Sequence, residues 1–111
     1  PNVDEKSISF ENDPTVLSSY GGTDSPGDST HVRVIDWDKG TTEPGSSGSP
    51  LFDTNHRVIG QLHGGGAACG NDLSDYYGRL HTSWKGDGTL KGSLKDHLDP
   101  DKTGRLTTDT I

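Results

Sequence analysis

Glycines bracket a pair of serines in Gly45-Ser46-Ser47-Gly48-Ser49-Pro50. A serine held between glycines on a tight turn is equipped for acyl transfer. Its hydroxyl can stand clear as a nucleophile, and successive backbone N–H groups can converge on one point to hold an oxyanion. The same composition also describes a flexible Gly/Ser spacer. Two features decide against the spacer. Pro50 and the apolar pair Leu51-Phe52 follow at once, so the loop runs into a strand. A second strand, Arg57-Val58-Ile59-Gly60-Gln61-Leu62-His63, and the glycines Gly64 to Gly66 then follow at hairpin distance. A serine nucleophile also needs a base. His31 is the only histidine ahead of Ser47, and it reads as a strand-end residue. His56 reads as solvated in a turn, and His81 and His97 lie on ordinary secondary structure.

The elements that position these residues are short. A strand is expected at 7–10, another of about six residues opening at His31, and a third over 77–84. Asp53-Thr54-Asn55 is a turn by composition. Leu90, Leu94 and Leu98 recur every four residues, which predicts a helix over 90–98. Asp99-Pro100 ends it, because the residue before proline is pushed out of the α region. Residues 1–30 form a turn-rich lead-in, 31–104 the main domain and 105–111 a tail.

The 111 residues suit one domain. A net charge of −7 argues against nucleic-acid binding, which needs clustered Lys and Arg. No apolar run approaches the roughly 20 residues that span a bilayer, so a membrane role is not expected. Leu, Val, Ile and Phe supply 20 residues, or 18%. Such a low share with this charge usually marks disorder. Here the apolar residues cluster between turns punctuated by 16 glycines, which predicts a folded β protein whose core is completed by chain outside this sequence.

Gly45-Ser46-Ser47-Gly48-Ser49-Pro50 resembles the Gly-Asp-Ser-Gly-Gly-Pro signature of chymotrypsin-like serine proteases. The run Thr42-Glu43-Pro44-Gly45-Ser46-Ser47-Gly48-Ser49-Pro50-Leu51 is similar to the bacterial lysyl endopeptidases in particular. So are Val58-Ile59-Gly60-Gln61-Leu62-His63-Gly64-Gly65, Ser74-Asp75-Tyr76-Tyr77-Gly78-Arg79 and the segment Leu94-Lys95-Asp96-His97-Leu98-Asp99-Pro100. Several motifs in order are more specific than one Gly-x-Ser-x-Gly pattern.

The resemblance implies an all-β fold, the second six-stranded antiparallel Greek-key barrel of the chymotrypsin-like architecture, with a C-terminal helix. It makes Ser47 the nucleophile and the N–H groups of Gly45 and Ser47 the oxyanion hole. Leu62, His63, Gly64 and Gly65 line the primary specificity pocket, His63 matching a histidine beside the active site. Asp75 matches the residue that selects lysine; the alternative for a loop Asp is simple solvation. Thr41 stands at the pocket-base position, where trypsin has an acid, so cation selectivity falls to Asp75 or else to Glu43. Ser46 replaces the Asp that pairs with the new N-terminus on zymogen activation. The aromatic residue that stacks near the active-site histidine in the best-known members falls before His31, where no residue of this sequence can be matched. Cys69, the one cysteine, matches a cysteine bridged to the N-terminal segment.

The implied protein is a secreted or periplasmic bacterial serine endopeptidase cleaving after lysine, with a peptide substrate and no cofactor or metal. Its triad His and Asp belong to the other barrel half, so this chain alone should be inactive. The alternatives are an inactive protease-like binding module and, from Asp99-Pro100-Asp101-Lys102-Thr103-Gly104-Arg105-Leu106, a calcium loop. Against calcium, Thr110 stands where a bidentate Glu is needed.

Overall fold

The longest apolar-alternating segment forms the longest strand. In the computed structural model, which describes residues 7–86, 92–99 and 101–104, five strands pair antiparallel. They are β1 Val16–Ser18, β2 His31–Val34, β3 Pro50–Phe52, β4 Val58–Gly65 and β5 Asp75–Arg79. Two short helices follow, α1 Leu80–Lys85 and α2 Lys95–Leu98. The chain divides into two units, Pro1–Leu80 and His81–Ile111.

In the first unit the sheet order is β1-β2-β5-β4-β3. The last strand in sequence is therefore the central one. Neighbours on either side explain why Asp75, Tyr76 and Tyr77 of β5 are all buried. Val34, Leu62 and Tyr77 make the core, with Val32, Trp37 and Leu51 packed against it. Trp37 meets Tyr77 edge-on at 6.4 Å between centroids. Such a core is small, as the composition requires.

Turn chemistry joins β3 to β4. Asp53 Oδ1 accepts the N–H groups of Asn55 (2.8 Å) and Arg57 (3.0 Å), and His56 adopts φ 60° at the turn. This matches the turn expected at Asp53-Thr54-Asn55, and asparagine-like side-chain closure is its physical cause.

The described fold is predominantly antiparallel β, as expected, and β2, β3 and β4 fall where strands were predicted. Its sheet is open, however, with β1 and β3 at its edges; neither a sixth strand nor barrel closure occurs among the described elements. The strand expected at 7–10 reduces to a single bridge, in which Phe10 and Lys39 exchange N–H···O bonds of 2.8 and 3.0 Å. The strand expected over 77–84 ends at Arg79. There the edge-to-edge pairing with Gly60 stops, and residues 80–85 wind into α1 despite their aromatic and β-branched content. Without a ladder partner, local i→i+4 bonding is the available way to satisfy the backbone.

In the second unit, Ser93 Oγ donates to the Trp84 carbonyl (3.0 Å) and the Leu94 N–H to that of Ser83 (3.1 Å). These bonds fix the start of α2 beside the end of α1. The helix predicted over 90–98 is confined to Lys95–Leu98 among the described residues, with Leu94 as its N-cap. Its predicted start at Leu90, like the tail 105–111, lies outside them. Leu98 is 59% exposed, so the four-residue apolar stripe is not covered at its end.

Candidate active site

The loop before β3 is built from backbone bonds that leave one serine clear. The Ser46 N–H donates to the Glu43 carbonyl (3.0 Å), and the Glu43 N–H donates back to Ser46 Oγ (3.2 Å). The Ser49 N–H closes a second turn onto the Ser46 carbonyl (3.0 Å). Gly48 N–H to the Leu62 carbonyl (2.8 Å) and Leu62 N–H to the Ser49 carbonyl (2.9 Å) dock the loop on β4. Gly45 and Gly48 take φ of 98° and 86° with open space where a Cβ would lie, so conformation and not crowding demands glycine there. Ser47 is exposed between them. The N–H groups of Gly45 and Ser47 have no partner among the described residues, while those of Ser46, Gly48 and Ser49 are committed. Ser46, in the place of an activation-switch aspartate, serves its own turn.

Across one rung of the sheet lies the candidate pocket residue. Asp75 opens β5 opposite Gly65 of β4. It is 1% exposed, which excludes the solvated loop carboxylate as an alternative. Its Oδ2 accepts Trp37 Nε1–H (2.8 Å) and Thr42 Oγ1–H (2.6 Å). A carboxylate buried this deeply needs such donors. Its Oδ1 lies against Gly65, where any Cβ would collide with it. Glycine at 65 therefore leaves room for this carboxylate oxygen on the β4 side. Thr41 does not reach Asp75 itself: Ser9 Oγ holds its carbonyl (2.8 Å), and the next residue, Thr42, carries the hydroxyl that does.

Asp75 also acts on its neighbour. Burial, with the Asp75 carboxylate adding, pushes the Tyr77 phenol from its ordinary 10.0 up to about 12. The folded form thus holds this proton more tightly than the unfolded chain does. The linked stability is complete below about pH 10 and is lost as pH rises towards about 12. Alkaline unfolding followed by circular dichroism should show this slope, and Tyr77→Phe should flatten it; an unchanged slope would count against the burial effect.

His63 stands out from β4 at an irregularity in the register between Leu62 and Gly64. Tyr20 stacks on its ring, with centroids 3.8 Å apart and planes 20° from parallel. His31 Nε2 lies 2.9 Å from His63 Nδ1. The expectation that His31 is a plain strand-end residue is therefore corrected. It begins β2, as expected, but the sheet carries it across β5 to the histidine of β4. Among the described residues no histidine hydrogen-bonds to Ser47.

Cys69 is exposed and free, and its thiol donates to Glu43 Oε1 (2.9 Å). The negative, hydrogen-bonded Glu43 pushes this thiol above its ordinary range. Glu43→Gln should therefore speed alkylation of the reduced protein by iodoacetamide at pH 8. Equal rates would show that Glu43 does not hold the thiol. At the candidate calcium loop, Asp99 Oδ1 accepts Thr103 N–H (2.9 Å) and Oγ1–H (2.7 Å), and Oδ2 accepts Gly104 N–H (3.0 Å). Its carboxylate is thus hydrogen-bonded to its own loop.

The structure thus gathers Gly45 and Ser47 on one loop docked to β4, and Gly64, Gly65 and Asp75 around neighbouring rungs of β4 and β5. The sequence reading missed Trp37 and Thr42 as the holders of Asp75, and Tyr20 as the ring on His63. No local pattern marks any of them, because each contact crosses at least 33 residues. The family model described as "Lysyl endopeptidase, C-terminal domain" matches residues 1–78. That span takes in the whole loop that carries Ser47, β4 and Asp75, as well as the turn-rich lead-in that carries Tyr20.

Proposed function

Because this chain belongs to the lysyl endopeptidase C-terminal domain family, we propose that it is the nucleophile-bearing half of a secreted serine endopeptidase that cleaves peptides after lysine. One observation carries the proposal. Ser47 is exposed on a turn whose Gly45 and Ser47 N–H groups have no partner among the described residues, while the N–H groups of Ser46, Gly48 and Ser49 are committed. Donors left open beside an exposed serine suit the developing oxyanion of acyl transfer.

In this reading Ser47 Oγ attacks the carbonyl carbon of the lysine whose following peptide bond is broken. A histidine held by an aspartate, both supplied by sequence outside these 111 residues, takes the hydroxyl proton and passes it to the leaving amine. Water then releases the acyl group from Ser47 with the same base. The sheet is part of the second chymotrypsin-like barrel, and the exposed Cys69 is available for a disulfide to the other half. Asp75 Oδ1, beside Gly65, meets the substrate ammonium. Tyr20 on His63 provides an aromatic partner before His31, where the family resemblance calls for one.

The test is hydrolysis by the full-length protein of matched peptides bearing Lys, Arg, Gln or Leu before the reporter group. Cleavage after Lys is expected, with Gln and Leu poor. Binding of the Lys peptide without any hydrolysis would favour a non-catalytic module and overturn the proposal.

A further inference from the structure

His63 is the end of a hydrogen-bonded chain that begins at a carboxylate. Asp28 Oδ1 accepts the Thr30 N–H (3.0 Å) and lies 2.7 Å from Thr30 Oγ1. Thr30 Oγ1 lies 2.7 Å from His31 Nδ1, and His31 Nε2 lies 2.9 Å from His63 Nδ1. Donor accounting gives this chain a direction. The Thr30 hydrogen bonds keep the Asp28 carboxyl below the usual carboxylate range, so Asp28 can only accept. Thr30 has one hydroxyl proton, and Asp28 takes it. Thr30 Oγ1 is then an acceptor towards His31, which must carry its proton on Nδ1.

The next step depends on His31 being neutral. Burial lowers its basicity, the neighbouring His63 adds to that, and Asp28 opposes it. The groups facing it are Asp28 from the turn before β2, His63 from β4 and Tyr20 from the segment after β1, whose ring is 5.5 Å away. A neutral His31 protonated on Nδ1 offers only a lone pair at Nε2. His63 must meet that lone pair with Nδ1–H, and in its neutral form this leaves its own Nε2 without a proton. Tyr20, stacked on one face of His63 and itself set edge-on to Tyr76 at 5.8 Å, holds the ring plane.

We propose that Asp28, Thr30 and His31 form a relay that fixes His63 in the Nδ1–H tautomer, so that His63 Nε2 is an outward hydrogen-bond acceptor for an N–H donor of the bound peptide. His31 and Thr30 are positioning residues, acting through His63. The tautomer assignment stands on the hydrogen bonds between an ionised Asp28 and neutral rings, whereas the peptide as donor rests on the proposed peptidase function. Free imidazole does not need this arrangement, and either ring nitrogen can carry the proton. The relay removes that choice.

Long-range proton–nitrogen NMR of the full-length protein, labelled at histidine nitrogens and held above neutral pH, reads the tautomers directly. His31 and His63 should both show protonated Nδ1 and bare Nε2. Thr30→Val keeps the shape and removes the hydroxyl, so it should return both rings to a mixture. It should also lower kcat/KM for a Lys peptide by about tenfold, the size of one lost hydrogen bond. Thr30→Ser should restore the tautomers and the rate. An Nε2–H form of either ring in the unaltered protein, or tautomers indifferent to Thr30→Val, would overturn the relay. Correct tautomers with a rate indifferent to Thr30→Val would overturn the role towards the peptide. If the full-length protein hydrolyses nothing, the peptidase reading fails while the tautomer measurement still decides the relay.

Discussion

Ser47→Ala should cost the full-length protein about 10⁴ to 10⁶ in turnover, the penalty for removing a triad member. In the proposed mechanism this hydroxyl forms the covalent intermediate, and the neighbouring Ser46 Oγ is committed to accepting the Glu43 N–H of its own turn. The substitution removes one oxygen from an exposed tip, so folding should be untouched and the melting temperature should stay within a degree or two. The same reasoning predicts the behaviour of these 111 residues alone. A phosphonylating probe should label Ser47 rapidly in the full-length protein and hardly at all in the isolated chain, because no described histidine reaches the hydroxyl. Rapid labelling of the isolated chain would reveal a base inside it and remove the need for the other half.

For Asp75→Asn, kcat/KM towards Lys peptides should fall by a factor of about 10² or more, or roughly 3 kcal/mol of transition-state stabilisation. Asparagine is the informative replacement. Its carbonyl oxygen can still accept from Trp37 Nε1–H and Thr42 Oγ1–H, so the buried bonds that hold the strand survive. What changes is the atom beside Gly65: an acceptor becomes an NH₂ donor that repels an ammonium. Asp75→Ala would instead strand both donors in the core, at about 1–3 kcal/mol for each group left unpaired, and would confuse stability with specificity. The Lys-to-Arg preference should change as well, since a planar guanidinium fork and a point ammonium demand different geometry from one oxygen. If Asp75→Asn cleaves after Lys as well as the unaltered protein, selectivity lies elsewhere, and Glu43 beside Cys69 is the next carboxylate to test.

Local signals made much of this legible. The Gly45 to Pro50 loop declared itself because glycines at positive φ, a proline and an apolar pair occur together within eight residues. β4 was readable from alternation, which the burial of Gly60 and Leu62 reproduces. Residues 80–85 were misread because aromatic and β-branched composition favours a strand wherever a ladder partner exists, and composition does not say where the partner strand stops. His31 looked unremarkable for a related reason. Its importance depends on pairing with Gly78 of β5 and on the irregularity that turns His63 outward, both products of register between distant segments. Asp75 was identified through resemblance alone; that it is buried and doubly hydrogen-bonded could not be read from Ser74-Asp75-Tyr76, a sequence equally at home in a solvated loop.

The order β1-β2-β5-β4-β3 also sets how the domain comes into being. β1 and β2 form one hairpin and β3 and β4 another, and each can pair as soon as it leaves the ribosome. In the sheet the two hairpins are joined through β5, which pairs with β2 on one side and β4 on the other. Isolated two-stranded hairpins are marginal in water, and contacts across such long separations form late. Synthesis must therefore reach Arg79 before the half holding Asp28, His31 and Trp37 is joined to the half holding Ser47 and His63. A nascent chain stopped before Asp75 carries the nucleophile loop and both histidines yet has no sheet to bring them together. The strand that supplies the candidate specificity carboxylate is thus also the one that joins the two halves of the sheet.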